Sequence, residues 1–107
     1  MTESDFEAIL LQRIEKMRAV LANKAREYAS GRDRLHNFKR AGAMQGVTPE
    51  KALLGMFAKH MVSIMDMVDD LDRDVHNPIP AWDEKLGDAV NYLVLLEGLV
   101  VERKVCK

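Results

Sequence analysis

Glu84, Asp88 and Asn91 stand at i, i+4 and i+7, so a helix over this stretch lines them on one face. Two carboxylates one turn apart repel unless a cation or a base sits between them. Oxygen donors at this spacing suit hard cations such as Mg²⁺ or Mn²⁺. The same residues also fit a plain helix surface: Asp83 and Glu84 complement a helix N-terminus, and Asp88 can pair with a lysine. A second line, Lys59, Ser63, Asp66 and Asp70, runs at i, i+4, i+7 and i+11, with His60 beside it. The acids from Asp66 to Asp74 read as a solvated helix end, although negative charge is unfavourable at a C-terminus and leaves room for another task. His60 lies among Phe57, Met61 and Ile64, as a hydrogen-bonded core histidine or as a ligand-binding group. Further upstream come Lys24, Glu27 and Tyr28, then Arg32, Asp33, Arg34, His36, Asn37, Phe38 and Lys39. Arg and Lys beside a loop are the usual grip for phosphate. Phe38 and Trp82 are core anchors or stacking platforms for a base. The sequence carries no Ser/His/Asp arrangement for a nucleophile, no Gly-rich phosphate loop and no zinc-ligand spacing.

The elements that must position these residues are helical. Ser4 is a candidate N-cap, with Glu7 completing a capping box. Phe6, Ile9, Leu10, Ile14, Met17, Val20, Leu21 and Tyr28 form a helical stripe. This predicts a first helix over about 5–29, stopped by Ser30 and Gly31. Residues 30–47 then form a long connection with three glycines and five basic residues counting His36, with room for a short helical turn. Thr48 as N-cap, Pro49 at the first helical position and Glu50 in the first turn open a second helix over about 49–71. Asn77-Pro78 and Pro80 break the chain, and a third helix is expected over about 81–104, with Arg103 and Lys104 at its end. The fold class is therefore all-α: three long helices with a long 30–47 connection. The second helix carries ten large apolar residues from Leu53 to Val68, and Leu93–Leu96 is apolar on every side. A helix in a monomeric three-helix bundle needs one apolar stripe. The surplus predicts a second apolar face packed on another subunit, in a helical-bundle homo-oligomer, dimer or tetramer.

With 107 residues, 48% of them apolar and 31% charged, and with only 3 Pro and 6 Gly, a single folded domain over 1–107 is expected and a disordered or collagen-like chain is excluded. A single cysteine, Cys106, excludes a disulfide framework and a cysteine-based zinc site and favours a reducing compartment. No apolar run reaches the roughly 18 residues of a membrane span. The acidic, polar start is no signal peptide, so a cytoplasmic location and no membrane partner are expected. The net charge of −1 argues against direct DNA binding. It hides an asymmetry: Arg13–Arg40 holds nine Lys/Arg against three acids, and Asp66–Asp88 holds eight acids against two bases. Such blocks pack against each other or face solvent. In a binding protein they would make one phosphate wall and one metal wall.

The motifs Lys24-Ala-Arg-Glu27-Tyr28-Ala, Asp33-Arg34-Leu-His-Asn37-Phe38-Lys39, Gly46-Val-Thr48-Pro49-Glu50-Lys-Ala52-Leu53, Gly55-Met56-Phe-Ala-Lys59-His60, Asp66-Met67 and Glu84-Lys85-Leu-Gly-Asp88-Ala-Val-Asn91-Tyr92-Leu93 resemble a set of small phage and prophage proteins, over residues 5–104. The last motif also resembles the phage nucleotide-modification-associated domain. More distantly, the layout is similar to the MazG-like all-α NTP pyrophosphatases. That resemblance implies Mg²⁺ or Mn²⁺ held by carboxylates from two helices and attack of an activated water on a nucleotide phosphate. It implies Glu84 and Asp88 as metal-binding and catalytic carboxylates, with Glu27, and less directly Asp66, as the opposite wall. Lys24, Arg34, Asn37, Lys39, Lys59, His60 and Asn91 would then bind the nucleotide and its phosphates. The superfamily's E-x-x-E pair has no counterpart: Glu27 has Lys24 at i−3 and Ser30 at i+3. The resemblance thus leaves both hydrolysis and binding alone open. The competing expectations are a small phage-encoded protein that inhibits a host defence or nucleic-acid enzyme, and a structural oligomer without ligand.

Overall fold

The structure, a computed structural model, describes the backbone of residues 1–27 and 33–105 and the side chains of residues 1–22 and 33–105. Four α-helices follow in order: α1 (Glu3–Glu27), α2 (His36–Gln45), α3 (Pro49–Asp72) and α4 (Ile79–Val105), with no strand among the described residues. The chain divides into two compact units, 1–34 and 35–107. No helix of the described residues is long and apolar enough to cross a membrane.

The first unit holds α1. Its N-terminus is closed two residues earlier than the Ser4/Glu7 box. The Asp5 amide donates to Thr2 Oγ1 at 3.0 Å, and the Thr2 amide donates to Asp5 Oδ2 at 3.2 Å. A threonine hydroxyl and an aspartate three residues on satisfy the same two orphan donors that a Ser/Glu box would. The apolar stripe of α1 is exposed at Phe6, Ile9, Leu10 and Ile14.

In the second unit the expected 30–47 connection contains a full helix. Leu35 and Phe38, one turn apart, are both buried, which gives α2 an inward face, while His36, Asn37 and Arg40 are exposed. Gly46, at φ 68° and ψ 30°, ends α2 in the left-handed conformation that glycine adopts without steric cost. The Val47 amide then donates to the Gly42 carbonyl at 2.9 Å. The basic residues and glycines of this stretch pointed to a loop, but two apolar anchors and a terminal glycine suffice for a ten-residue helix once α3 and α4 cover it.

The α3 start matches its sequence signals: Thr48 Oγ1 accepts from the Lys51 amide at 3.2 Å, and Pro49 occupies the first turn, where no N–H is needed. Between α3 and α4 the turn is built on Asp70, which accepts from Arg73 Nη2 at 2.6 Å and from Asn77 Nδ2 at 3.1 Å. Asp74 takes φ 60°, a left-handed position that Asp tolerates better than most residues. α4 begins at Ile79, two residues before the expected Ala81. Pro80 sits in its first turn, where its missing N–H leaves no bond unmade, and the Pro78 carbonyl accepts from the Ala81 and Trp82 amides.

α3 and α4 form an antiparallel hairpin. Glu50 at the start of α3 meets Arg103 at the end of α4, and His60 meets Asp88 and Tyr92 midway. The core joins Leu35 at the N-cap of α2, Phe38 of α2, Leu53 of α3 and Leu99 of α4, with Met56, Phe57, Tyr92, Leu95 and Leu96 packed around them. Leu53 is fully buried, and a leucine so placed contributes about 1.5–3 kcal/mol. Outside this core many large apolar side chains of α3 and α4 remain exposed, among them Leu54, Met65, Leu86 and Leu93.

Candidate polar site on the hairpin

His60 enters the site from α3 because its ring packs in the aromatic row of the core. The Tyr92 ring lies 5.0 Å from that of His60, 5.9 Å from Phe57 and 6.4 Å from Phe38. This holds the half-buried imidazole against α4, where its Nδ1 stands 3.5 Å from Asp88 Oδ2. At that separation the contact is an ion pair when the ring is protonated, and it is too long for a good hydrogen bond. Nδ1 is itself shut off from solvent and makes no hydrogen bond. One turn along α4, Asn91 Oδ1 is likewise buried and has no donor. Buried polar atoms without partners cost about 1–3 kcal/mol each and are uncommon in folded proteins.

Helical register places the other polar candidates on the same flank. Lys59 and Asp66 each precede a packed residue of α3 (His60 and Met67), as Asn91 precedes Tyr92 on α4. One residue back along a helix is the same rotation on both elements. Because the helices run antiparallel, that rotation reaches one side of the hairpin. Glu84, one turn before Asp88, belongs to this side and is exposed, as are Lys59 and Asp66. Ser63 turns its hydroxyl back to the Lys59 carbonyl at 3.2 Å.

The structure therefore pairs His60 with Asp88, and helical spacing puts Asn91 one turn from Asp88, with Glu84, Lys59 and Asp66 on the same flank. Lys39 of α2 is engaged in an ion pair with Glu102, and Asn37 is exposed in the first turn of α2. Arg34 belongs to the first unit and is half-buried there. The Lys24 and Glu27 side chains, and Tyr28, lie outside the described residues. Lys39 of the basic block reaches Glu102, while in the acidic block Asp88 reaches His60, Asp70 reaches Arg73 and Asp74 reaches His76.

Among the described residues no three His, Cys, Asp or Glu side chains gather as a group able to hold a metal ion. Glu84, Asp88 and Asp66 are accordingly not gathered as such a group, and the Glu27 side chain lies outside the described residues. The sequence shows His60 and Asp88 on separate lines but not their pairing, which depends on the α3–α4 register. Nor does it show Tyr92 as the ring that positions His60, although Tyr92 stands one turn after Asp88. Asp70, one of the helix-end acids, has its task in the turn. Hydrogen bonds from Asn77 and then Arg73 hold its carboxyl below the ordinary aspartate value. In comparisons with known proteins, no family model, no curated protein and no solved structure matches this chain.

Proposed function

We propose that this protein binds a nucleotide through the polar flank of the α3–α4 hairpin. The observation that carries the reading is the pair of buried, unpartnered polar atoms, His60 Nδ1 and Asn91 Oδ1, on either side of Asp88. A base or sugar edge offers both donors and acceptors. It would give Asn91 Oδ1 a donor and satisfy the Asp88 carboxylate, relieving a cost that the free protein bears. Lys59, exposed on the same flank, supplies positive charge for a phosphate. Residue types on this flank also match the motifs that resemble phage nucleotide-modification proteins. A divalent cation enters this reading only as a companion of the nucleotide's phosphates, since Mg²⁺ commonly uses one or two protein carboxylates and keeps its remaining ligands from phosphate and water. In this reading the protein works in the cytoplasm as a homo-oligomer, supported by its exposed apolar helix faces.

A second reading, an interaction protein that docks on a host enzyme, draws on the same exposed apolar residues. The two are separated by calorimetric titration of the full chain with ribo-, deoxyribo- and modified nucleoside triphosphates, with and without Mg²⁺ or Mn²⁺, beside Asp88→Asn. Pyrophosphate release is followed in the same samples. Saturable binding that weakens at least about tenfold in Asp88→Asn is expected. Metal-dependent pyrophosphate release would extend binding to hydrolysis. A folded chain that binds no nucleotide in the panel overturns the proposal.

A further inference from the structure

The side of the hairpin opposite the polar flank is apolar along its length. On α3, Leu54, Phe57, Met61, Ile64, Val68 and Leu71 alternate spacings of three and four residues, the pattern of a helix that inserts knobs into a partner's holes. Leu54 is 49% exposed, and Met61, Val68 and Leu71 are exposed with it. On α4 the corresponding positions are Leu86, Leu93 and Val100, a strict seven-residue repeat, all exposed, with Leu93 at 53%. Five exposed stripe residues directly follow a packed residue: Leu54 follows Leu53, Met61 follows His60 and Val68 follows Met67, while Leu93 follows Tyr92 and Val100 follows Leu99. The same rotation on two antiparallel helices brings both stripes to one side of the hairpin.

The charges at the ends of this face differ in sign. Lys51 and Lys104, both exposed, flank it where α3 begins and α4 ends. Asp69 and Asp72, also exposed, flank it at the turn end. A face that is apolar along its middle, basic at one end and acidic at the other is complementary to itself when turned end for end. Its size also suits a copy of the chain. From Lys51 to Asp72, flanking charges included, the face is about 32 Å long at 1.5 Å per residue, and two helices at 8–10 Å spacing make a face about 20 Å wide. The product, roughly 600 Å², approaches the ~800 Å² per partner of a stable protein–protein interface.

We propose that this face is covered by the same face of a second copy, turned head to tail, so that the two hairpins close a four-helix bundle. Lys51 and Lys104 of each copy then stand opposite Asp69 and Asp72 of the other. The arrangement leaves the polar flanks of both copies on the outside and is independent of what that flank binds.

The test is sedimentation equilibrium of the full chain with three sets of variants, each checked for native helix content by circular dichroism. Leu93→Lys changes an exposed residue and is expected to raise the dimer Kd at least about tenfold. The double variants Lys51→Glu/Lys104→Glu and Asp69→Lys/Asp72→Lys are each expected to weaken the dimer, and the combination of all four to restore it to near the parent value. At Lys51, Asp69 and Asp72 the reversal places charge favourably on the α3 dipole, and Lys104→Glu is an exposed change near a helix end. A folded parent chain that remains monomeric at about 100 μM overturns the proposal, whatever else covers the face. So does a dimer indifferent to Leu93→Lys, and so does a dimer in which the fourfold charge exchange fails to restore affinity.

Discussion

Arg103 clasps Glu50 with both ends of its guanidinium: Nε donates to one carboxylate oxygen at 2.8 Å and Nη2 to the other at 2.6 Å. This bidentate pair ties the first turn of α3 to the last turns of α4, at the end of the hairpin away from its connecting turn. Arg103 donating to it holds the Glu50 carboxyl below the ordinary glutamate value, and the Arg103 guanidinium is raised in return. A group whose folded pKa is depressed contributes stability that is present above its unfolded pKa. That contribution is lost as pH falls through the folded value. Glu50→Gln should therefore lower stability at neutral pH by about 0.5–1 kcal/mol, a value kept small because Arg103 is half exposed. The loss corresponds to a melting temperature lower by about 2–8 °C. Below the range where glutamate titrates, parent and variant should converge. Thermal melts across that range check both statements.

Asp70 is the equivalent anchor at the turn. Of its two donors, Asn77 exerts the larger depressing effect on its carboxyl and Arg73 the smaller. Following the Asp70 carboxyl carbon by NMR through an acid titration should give a midpoint below the ordinary aspartate value. Asn77→Ala should raise that midpoint more than Arg73→Ala does. Because the folded value is depressed, the turn should loosen as pH falls through it. Hydrogen exchange at the Val75 amide, which donates to the Asp70 carbonyl at 2.8 Å, should speed up correspondingly.

Two glycines at the end of α2, Gly42 in its last turn and Gly46 at its C-cap, should respond differently to a methyl group. At Gly42 a Cβ would stand 2.8 Å from the Val47 carbonyl oxygen and 3.0 Å from Pro49 nitrogen. These are backbone atoms that cannot swing aside, so Gly42→Ala should cost about 1–3 kcal/mol through displacement of the α2–α3 corner. At Gly46 a Cβ meets nothing within 4 Å, and the penalty is that of left-handed backbone alone, about 1–2 kcal/mol. Urea denaturation of the two variants should also separate them by mechanism. Gly46→Asn, which tolerates left-handed backbone, should recover part of the loss, whereas Gly42→Asn should be worse than Gly42→Ala.

Sequence periodicity was a good guide where a helix has its own start signal and a long stripe. Thr48-Pro49-Glu50 marked the start of α3 to the residue, and the stripe of α1 was plain. It failed where the local signal was weak and tertiary cover decided the outcome. α2 and its N-cap have two large apolar side chains to bury, Phe38 and Leu35, in a stretch whose glycines and basic residues read as a loop. Pro80 reads as a breaker in the sequence because a first-turn proline and one just outside a helix carry the same local signal. The polar line Glu84, Asp88 and Asn91 was visible from spacing, but its partner His60 was not identifiable as such. Partnership across a hairpin depends on register, and register depends on the length of the turn that Asp70 and Asn77 build.

Asn91 offers the sharpest separation of structural from binding roles. Its Oδ1 is buried without a donor, so in the free protein the side chain bears a desolvation cost with no compensating bond. Leucine has nearly the same size and no such cost. Asn91→Leu should therefore leave the melting temperature unchanged or raise it, while weakening nucleotide binding at least about tenfold. Asp88→Asn should behave differently, weakening binding while also removing the ion pair available to a protonated His60. If Asn91→Leu instead destabilises the protein by about 2 kcal/mol or more, the amide is holding the fold, and the buried oxygen no longer argues for a ligand.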